Sequence, residues 1–423
     1  MSHEPRNLAA PKHLGDVSEA GCPLPATHSR LDEMHYFWHQ TAEAYSTPEE
    51  FRYNLNALIQ AARNVTFMLQ SEKDRIPDFE VWYERWREKL KADPIMKWLH
   101  DARTTVVKQA DLKTSSQARV DLIASYTDSP QMEATVSPLL TTEEMLATAP
   151  VRQILEEARS NPVLEVERTW VADGLEGLEL LEAFAHAYGV LFKIVAEAHE
   201  KCGATMKVEV NRPPDLRLPC MVHTDDYRCI RVDLQSGEPR IFIQPEVAND
   251  TASKEEAAQR YRFDKLGLER VPSGDPFELT PQYLRMARAI LAKDGNHAPM
   301  VLLRNPEGRW VVQMLLPEDR QDKFLHWRRL ARDVEVYRYD AYIFISEAWM
   351  YQLEAPGQTV ESERREALVA TAEAADGRVR HWVLFFHRKN GKICFDEEHV
   401  DEGVPGFSAP VREVWSRIFR KEH

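Results

Sequence analysis

Two stretches of the sequence gather side chains of the kind that hold metal ions. His35 and His39, in HYFWH, stand four residues apart, which places two imidazoles on one face of a helix. No Asp or Glu at a diagnostic spacing accompanies them and their face is aromatic, so a structural role is expected for the pair. PCMVHTDDYRC brings Cys220, His223, Asp225, Asp226 and Cys229 close together in the chain. Thiolate and imidazole are zinc ligands, but this spacing fits no common finger or ribbon. Alternation along a strand would also turn Cys220 and His223 to opposite faces. Two paired strands with buried cysteines explain the stretch equally well, so no metal and no other cofactor is expected. Further along, AYIFISEAW ends a strongly apolar strand in Ser346-Glu347-Ala348-Trp349, and ESERREAL follows with Arg365 and Glu366. Polar residues at the C-terminal edge of a strand are where open α/β sheets hold ligands. Glu347 and Arg365 are therefore the candidate ligand residues of the C-terminal part. No Walker-type loop, dinucleotide fingerprint or nucleophile elbow occurs.

The elements that must position these groups are punctuated clearly at the N-terminal end. STPEEF offers Thr47 as N-cap, Pro48 at the first helical position and Glu50 at the capping-box position. Phe51, Leu55, Leu58, Ile59, Ala62, Thr66 and Leu69 then recur at helical period. A partner helix begins at Asp78 with Phe79, Trp82, Tyr83, Trp86 and Leu90, and Asp93-Pro94 caps the next. With a first helix around Asp32–Tyr45, four helices joined by short loops predict antiparallel neighbours in a bundle. ARVDLIASY reads as extended, and TTEEMLATA as a short helix with Thr141 and Glu144 as its capping pair. A long apolar-striped helix is expected from about Leu175 to Lys201, stopped at Cys202-Gly203.

The period then changes to two. MKVEVN, PCMVH, YRCIRVDL and PRIFIQ read as short strands. LTPQYLRMARAILAKDG is a helix with Thr280 as cap and Pro281 at its first position. PMVLLRN, RWVVQMLL, a helix around Gln321–Ala331, AYIFIS, ALVATAEA, hairpins at Asp376-Gly377 and Asn390-Gly391, and a helix APVREVWSRIF complete the chain. The expected fold class is α+β. The expected organisation is a disordered tail over 1–28, a helical bundle over 29–203, a β-rich middle section with a helix over 204–295 and an α+β domain over 296–423.

The stretch from His35 to Leu112 resembles the HEPN superfamily of helical-bundle domains. The resemblance rests on AARNVTFMLQSE, FEVWYERW and the helix ending DARTTVVKQADL. It implies a bundle that dimerises with its Arg motifs facing each other. It also implies metal-independent RNA cleavage where an Arg is followed a few residues on by a His, the guanidinium holding a phosphate and the imidazole exchanging protons. After Arg103 the corresponding positions are Lys108, Gln109 and Ala110, and after Arg63-Asn64 they are Met68, Leu69 and Gln70. His100 precedes Arg103 by three residues. The implied bundle therefore keeps its Arg without its His. On this reading Arg63, Asn64, Arg103 and Lys108 bind RNA or another anion, with Arg103 and His100 the nearest to a catalytic pair.

Bulk composition narrows the function classes. A chain of 423 residues with 43% hydrophobic and 29% charged residues has the make-up of a globular protein of two or three domains. A formal charge of −14 argues against a surface devoted to phosphates. Five scattered cysteines form no disulfide framework, and no apolar run reaches a membrane span of roughly 20 residues. The expectation is a cytoplasmic homodimer binding RNA or a protein partner, non-catalytic, possible stress or defence use following from the resemblance. A ribonuclease with a displaced acid–base residue, and a ligand-sensing or enzymatic C-terminal domain dimerised by the bundle, are the alternatives.

Overall fold

The computed structural model describes most of residues 21–419; its longest gaps are 145–162, 207–216, 234–250, 267–273 and 360–364. The fold class is α+β, N-terminal helices being followed by sheets. The chain divides into two compact units, residues 1–122 with 130–240 and residues 123–129 with 241–423.

In the first unit α1 (Pro25–Glu43), α2 (Pro48–Ser71), α3 (Phe79–Ala92) and α4 (Pro94–Lys108) are joined by short connections, and α5 (Leu180–Lys201) packs among them. Local chemistry sets several boundaries. Asp93 Oδ1 accepts from the N–H groups of Ile95 and Met96 at 2.9 and 3.1 Å, capping α4. Thr47 stands at the cap position of α2, but its side chain makes no cap bond, so the expected capping box with Glu50 is not built. The Thr141–Glu144 capping pair does form, at 2.7 and 3.1 Å.

Helix α1 begins inside the stretch expected to be a tail, and its cap comes from far away. The N–H groups of Ala26 and Thr27 lie 3.4 and 2.9 Å from the Glu72 carboxylate, and Thr27 Oγ1 donates to it at 2.7 Å. A carboxylate at a helix N-terminus satisfies orphan donors and meets the positive end of the dipole. Because Glu72 ends α2, this cap also ties the start of α1 to its neighbour. Trp38 Nε1 donates to the Leu181 carbonyl at 2.9 Å, fixing α1 against the start of α5.

A four-stranded sheet belongs to the same unit, in the order β2-β1-β3-β4, with β1 at Thr114–Ile123, β2 at Gln131–Val136, β3 at Val163–Ala172 and β4 at Cys229–Asp233. Strand β3 lacks a readable apolar alternation because two of its buried positions carry charged residues, Glu165 and Arg168. Its Trp170 stacks on Phe51 of α2 at 4.4 Å and donates Nε1–H to the Tyr45 carbonyl at 2.9 Å, docking the sheet on the helices. The region expected as one helical bundle thus contains a sheet. Within PCMVH, Pro219–Met221 is a 3₁₀ turn where a strand was expected, Pro219 lacking the N–H a ladder needs, and Asp225–Arg228 is a helical turn; residues 222–224 lie outside the described residues. PRIFIQ, and MKVEVN from residue 207, lie outside the described residues.

The second unit contains α6 (Thr251–Tyr261), α7 (Pro276–Asp294), β5 (Met300–Arg304), β6 (Trp310–Met314), α8 (Arg320–Tyr337), β7 (Ala341–Met350), the short pair β8 (Leu353–Ala355) and β9 (Gln358–Thr359), β10 (Arg365–Ala374), β11 (Val379–Lys389), β12 (Lys392–Asp401) and α9 (Ala409–Ile418). Six strands form one sheet in the order β12-β11-β10-β7-β5-β6, every pairing antiparallel. Successive residues alternate between its faces. Leu302, Ile343, Ile345 and Leu368 meet Leu284, Ala287 and Leu291 of α7 on one side. Val301, Leu303 and Tyr342 meet Trp327 and Leu330 of α8 and Trp415 of α9 on the other. Helix α7 starts at Pro276 with Asp275 as its cap, not at Thr280; Thr280 bonds back to the Pro276 carbonyl and Pro281 lies within the helix. The expected hairpin at Asn390-Gly391 is present, both residues at positive φ (54° and 74°) as a tight turn requires.

Candidate metal centre

At roughly 100° per residue, His28, Asp32, His35 and His39 of α1 fall within about 60° of one another. Leu31, Met34 and Trp38 hold the neighbouring face in the core. The helix therefore lays a stripe of polar, metal-ligating side chains along the margin of an apolar interior.

The C-terminal part of that stripe converges on a residue from a distant turn. His39 Nε2 lies 3.2 Å from His35 Nε2, and His35 Nε2 lies 3.2 Å from Cys220 Sγ, across 185 residues of chain. The three donor atoms all lie within 4.8 Å of one another. Zinc bonds of about 2.0–2.1 Å to nitrogen and 2.3 Å to sulfur, set tetrahedrally, place such donors about 3.3–3.6 Å apart. The two closest contacts, both 3.2 Å, come near that demand, and the soft-to-borderline donor set suits the same ion.

Electrostatics favour the ligand forms of the imidazoles. Burial, aided by the neighbouring His39, pulls His35 down to about 3, and burial pulls His39 down to about 4. Both rings are therefore neutral at physiological pH, each keeping a lone pair for a metal. Cys220 is an exposed residue, but its sulfur is turned against His35, and that desolvation pushes the thiol up to about 11.

Hydrogen bonding leaves the group incompletely served. The single lone pair or single proton of His35 Nε2 can bond only one of its two neighbours, His39 Nε2 or Cys220 Sγ. Tyr188 of α5 stacks obliquely 5.6 Å from the His35 ring, and its buried hydroxyl has no hydrogen-bond partner. Burial raises that phenol, with Asp32 and Cys220 adding to the effect, so it stays protonated. Buried polar atoms without partners are uncommon and call for a missing neighbour.

The structure thus joins two clusters that the sequence keeps apart: the His35–His39 pair, expected to be structural, and Cys220 of PCMVHTDDYRC. Cys229, by contrast, is buried on β4 opposite Glu167 and belongs to no metal-ligating group among the described residues. His223 lies outside the described residues. The signal for the pairing was the i, i+4 histidines themselves; what no spacing could show was the sulfur that reaches them.

The other sequence-derived candidates are dispersed. Arg63 is half-buried on α2 and donates to Thr66 Oγ1 of its own helix, with Asn64 beside it. Arg103 is half-buried on α4 and His100 exposed one turn earlier; the side chain of Lys108 is not among those described. In the second unit Glu347 accepts from the His297 N–H at 2.5 Å and from Arg388 at 3.1 Å, while Arg365 pairs with Asp396 at 2.9 Å. The two do not pair with each other, and the antiparallel sheet has no common C-terminal edge of the kind that gathers ligands in parallel α/β folds.

The sequence matches the family described as bacteriophage lambda protein ea47 over residues 13–423. Protein ea47 of Escherichia phage lambda is 27% identical over 338 residues, which cover 76% of this chain and 78% of that protein. No solved structure matches the chain significantly. The match runs through helices and sheets alike and no HEPN family is found, which overturns the HEPN resemblance. An apolar stripe on short-looped helices with an occasional Arg is common to helical bundles of many kinds, and without the His it identified nothing. Among the described residues no helix is long and apolar enough to cross a membrane.

Proposed function

We propose that this chain, which belongs to the bacteriophage lambda Ea47 family, is a metal-binding protein whose first unit holds a divalent ion of the zinc class between His35, His39 and Cys220. The observation that supports this reading is the meeting of three ligand atoms, within 4.8 Å of one another, from two turns of one helix and a remote loop. Loading would give His35 Nε2, His39 Nε2 and Cys220 Sγ one common partner in place of the competing contacts between them. The Cys220 proton leaves to solvent as the metal–sulfur bond forms. Three protein donors leave a fourth tetrahedral position for water or a ligand, the arrangement of reactive zinc rather than of closed structural zinc. RNA binding and dimerisation were expected from the HEPN resemblance; this reading needs neither.

The test is zinc content and affinity of the full chain, wild type against His39→Ala and Cys220→Ser. His39 is only half-buried, so its truncation is tolerable for the fold. Both variants are expected to lose one tightly held zinc relative to wild type. Equal zinc content and affinity in wild type and His39→Ala would overturn the reading.

A further inference from the structure

Toward the N-terminus, the same margin of α1 meets a second convergence. Cys22 Sγ lies 3.3 Å from His199 Nε2 and 3.7 Å from His28 Nδ1, and the three donor atoms lie within 4.8 Å of one another. His199 comes from the end of α5, 177 residues from Cys22. One imidazole is held by a hydrogen bond on its other nitrogen, and the second faces a carboxylate. His199 is fully buried and donates Nδ1–H to the Val195 carbonyl at 2.8 Å, which leaves the Nε2 lone pair facing the sulfur. His28 presents Nε2 to the Asp32 carboxylate at 3.8 Å, which leaves Nδ1 on the sulfur side. Metal-ligating histidines characteristically carry such a carbonyl or carboxylate on their other nitrogen, because it fixes ring and tautomer.

We propose that Cys22, His28 and His199 form a second, independent site for a divalent ion of the zinc class. Tetrahedral zinc places sulfur and nitrogen ligands about 3.6 Å apart, and the two contacts to Cys22 straddle that value. Loading forms one metal–sulfur and two metal–nitrogen bonds, the Cys22 thiol proton passing to solvent while the metal sheds its own waters. Nothing is oxidised or reduced. Seven residues of helix separate His28 from His35, about 10 Å of rise. Two-metal clusters that share a substrate are about 3.5–4 Å apart, so these are two mononuclear sites. This one would clamp the segment entering α1 onto the end of α5. Cys202, just beyond, donates to the Arg75 carbonyl at 3.3 Å and is not part of the cluster.

The experiment is a cobalt(II) titration of full-length Cys220→Ser, in which the site of His35 and His39 has lost its sulfur. A thiolate-to-cobalt charge-transfer band saturating at one equivalent is expected, and it should vanish in Cys22→Ser/Cys220→Ser. Absence of that band in Cys220→Ser, or its persistence in the double variant, would overturn the proposal. A measurement on wild type needs no variant to fold: zinc should slow alkylation of Cys22 at least tenfold, read by peptide mass spectrometry. An unchanged Cys22 rate would refute this site even if Cys220 were protected, so the two sites fail separately.

Discussion

Glu197 of α5 receives two indole N–H groups from α3, and its replacement tests how α5 is held. Trp82 and Trp86 Nε1 both donate to its Oε2, at 3.1 and 2.8 Å, and both indoles are nearly buried. The contact matters for the site because α5 also carries Tyr188 and His199. Hydrogen bonds to a charged acceptor contribute about 1.5–3 kcal/mol each, and a buried donor left unpaired costs about 1–3 kcal/mol. Glu197 itself is half-buried, so water can partly replace it, and the lower end of both ranges applies. Glu197→Ala should therefore destabilise the first unit by about 2–4 kcal/mol, lowering its melting temperature by roughly 10 °C at the sensitivity of a domain of this size. Glu197→Gln behaves differently, since one carbonyl oxygen with two lone pairs can take the place of Oε2 and accept from both indoles. Its expected cost is about 1 kcal/mol, the difference between charged and neutral acceptors. Urea unfolding followed by tryptophan fluorescence and by circular dichroism measures both variants. Equal damage from Ala and Gln, or less than about 0.5 kcal/mol from Ala, would refute the shared-acceptor argument.

Three further outcomes are expected. Glu179, buried beneath the Tyr45 hydroxyl at 2.9 Å, is pushed up to about 7 chiefly by burial, against the opposing pull of Arg228. Between its unfolded value of 4.5 and 7 the folded state keeps a proton that the unfolded state has lost, so this group's contribution to stability falls as pH rises, by about 3 kcal/mol in all; denaturation from pH 4 to 8 should show the fall in wild type and not in Glu179→Gln. Gly174 has φ +84°, and a Cβ there would stand 3.2 Å from Trp98 Cδ1, so Gly174→Ala should cost about 2 kcal/mol in equilibrium unfolding. Zinc at about 100 times its dissociation constant should stabilise the first unit by about 2.7 kcal/mol per site, and calorimetry should give His35→Ala/His39→Ala only half the wild-type gain.

Much of the fold was legible in neighbouring residues. Asp93-Pro94 before α4, Gly203 after α5 and Asn390-Gly391 between β11 and β12 act through contacts a few residues long, and all stand where their chemistry requires. The apolar stripes of α2 and α5 likewise point to the core they occupy. What local pattern could not carry was anything completed from afar. Helix α1 begins at Pro25 because Glu72 caps it, β3 buries the charged Glu165 and Arg168 among its apolar residues, and the C-terminal strands pair antiparallel by tertiary choice. The candidate metal centre belongs to this second kind. His35 and His39 were visible as a pair of rings on one helical face, a feature consistent with ordinary packing. Only the docking of α1 beside α5 and the 3₁₀ turn at Pro219–Met221 sets a sulfur against them, because ligand geometry is decided by distances of a few ångströms between residues that the chain holds far apart.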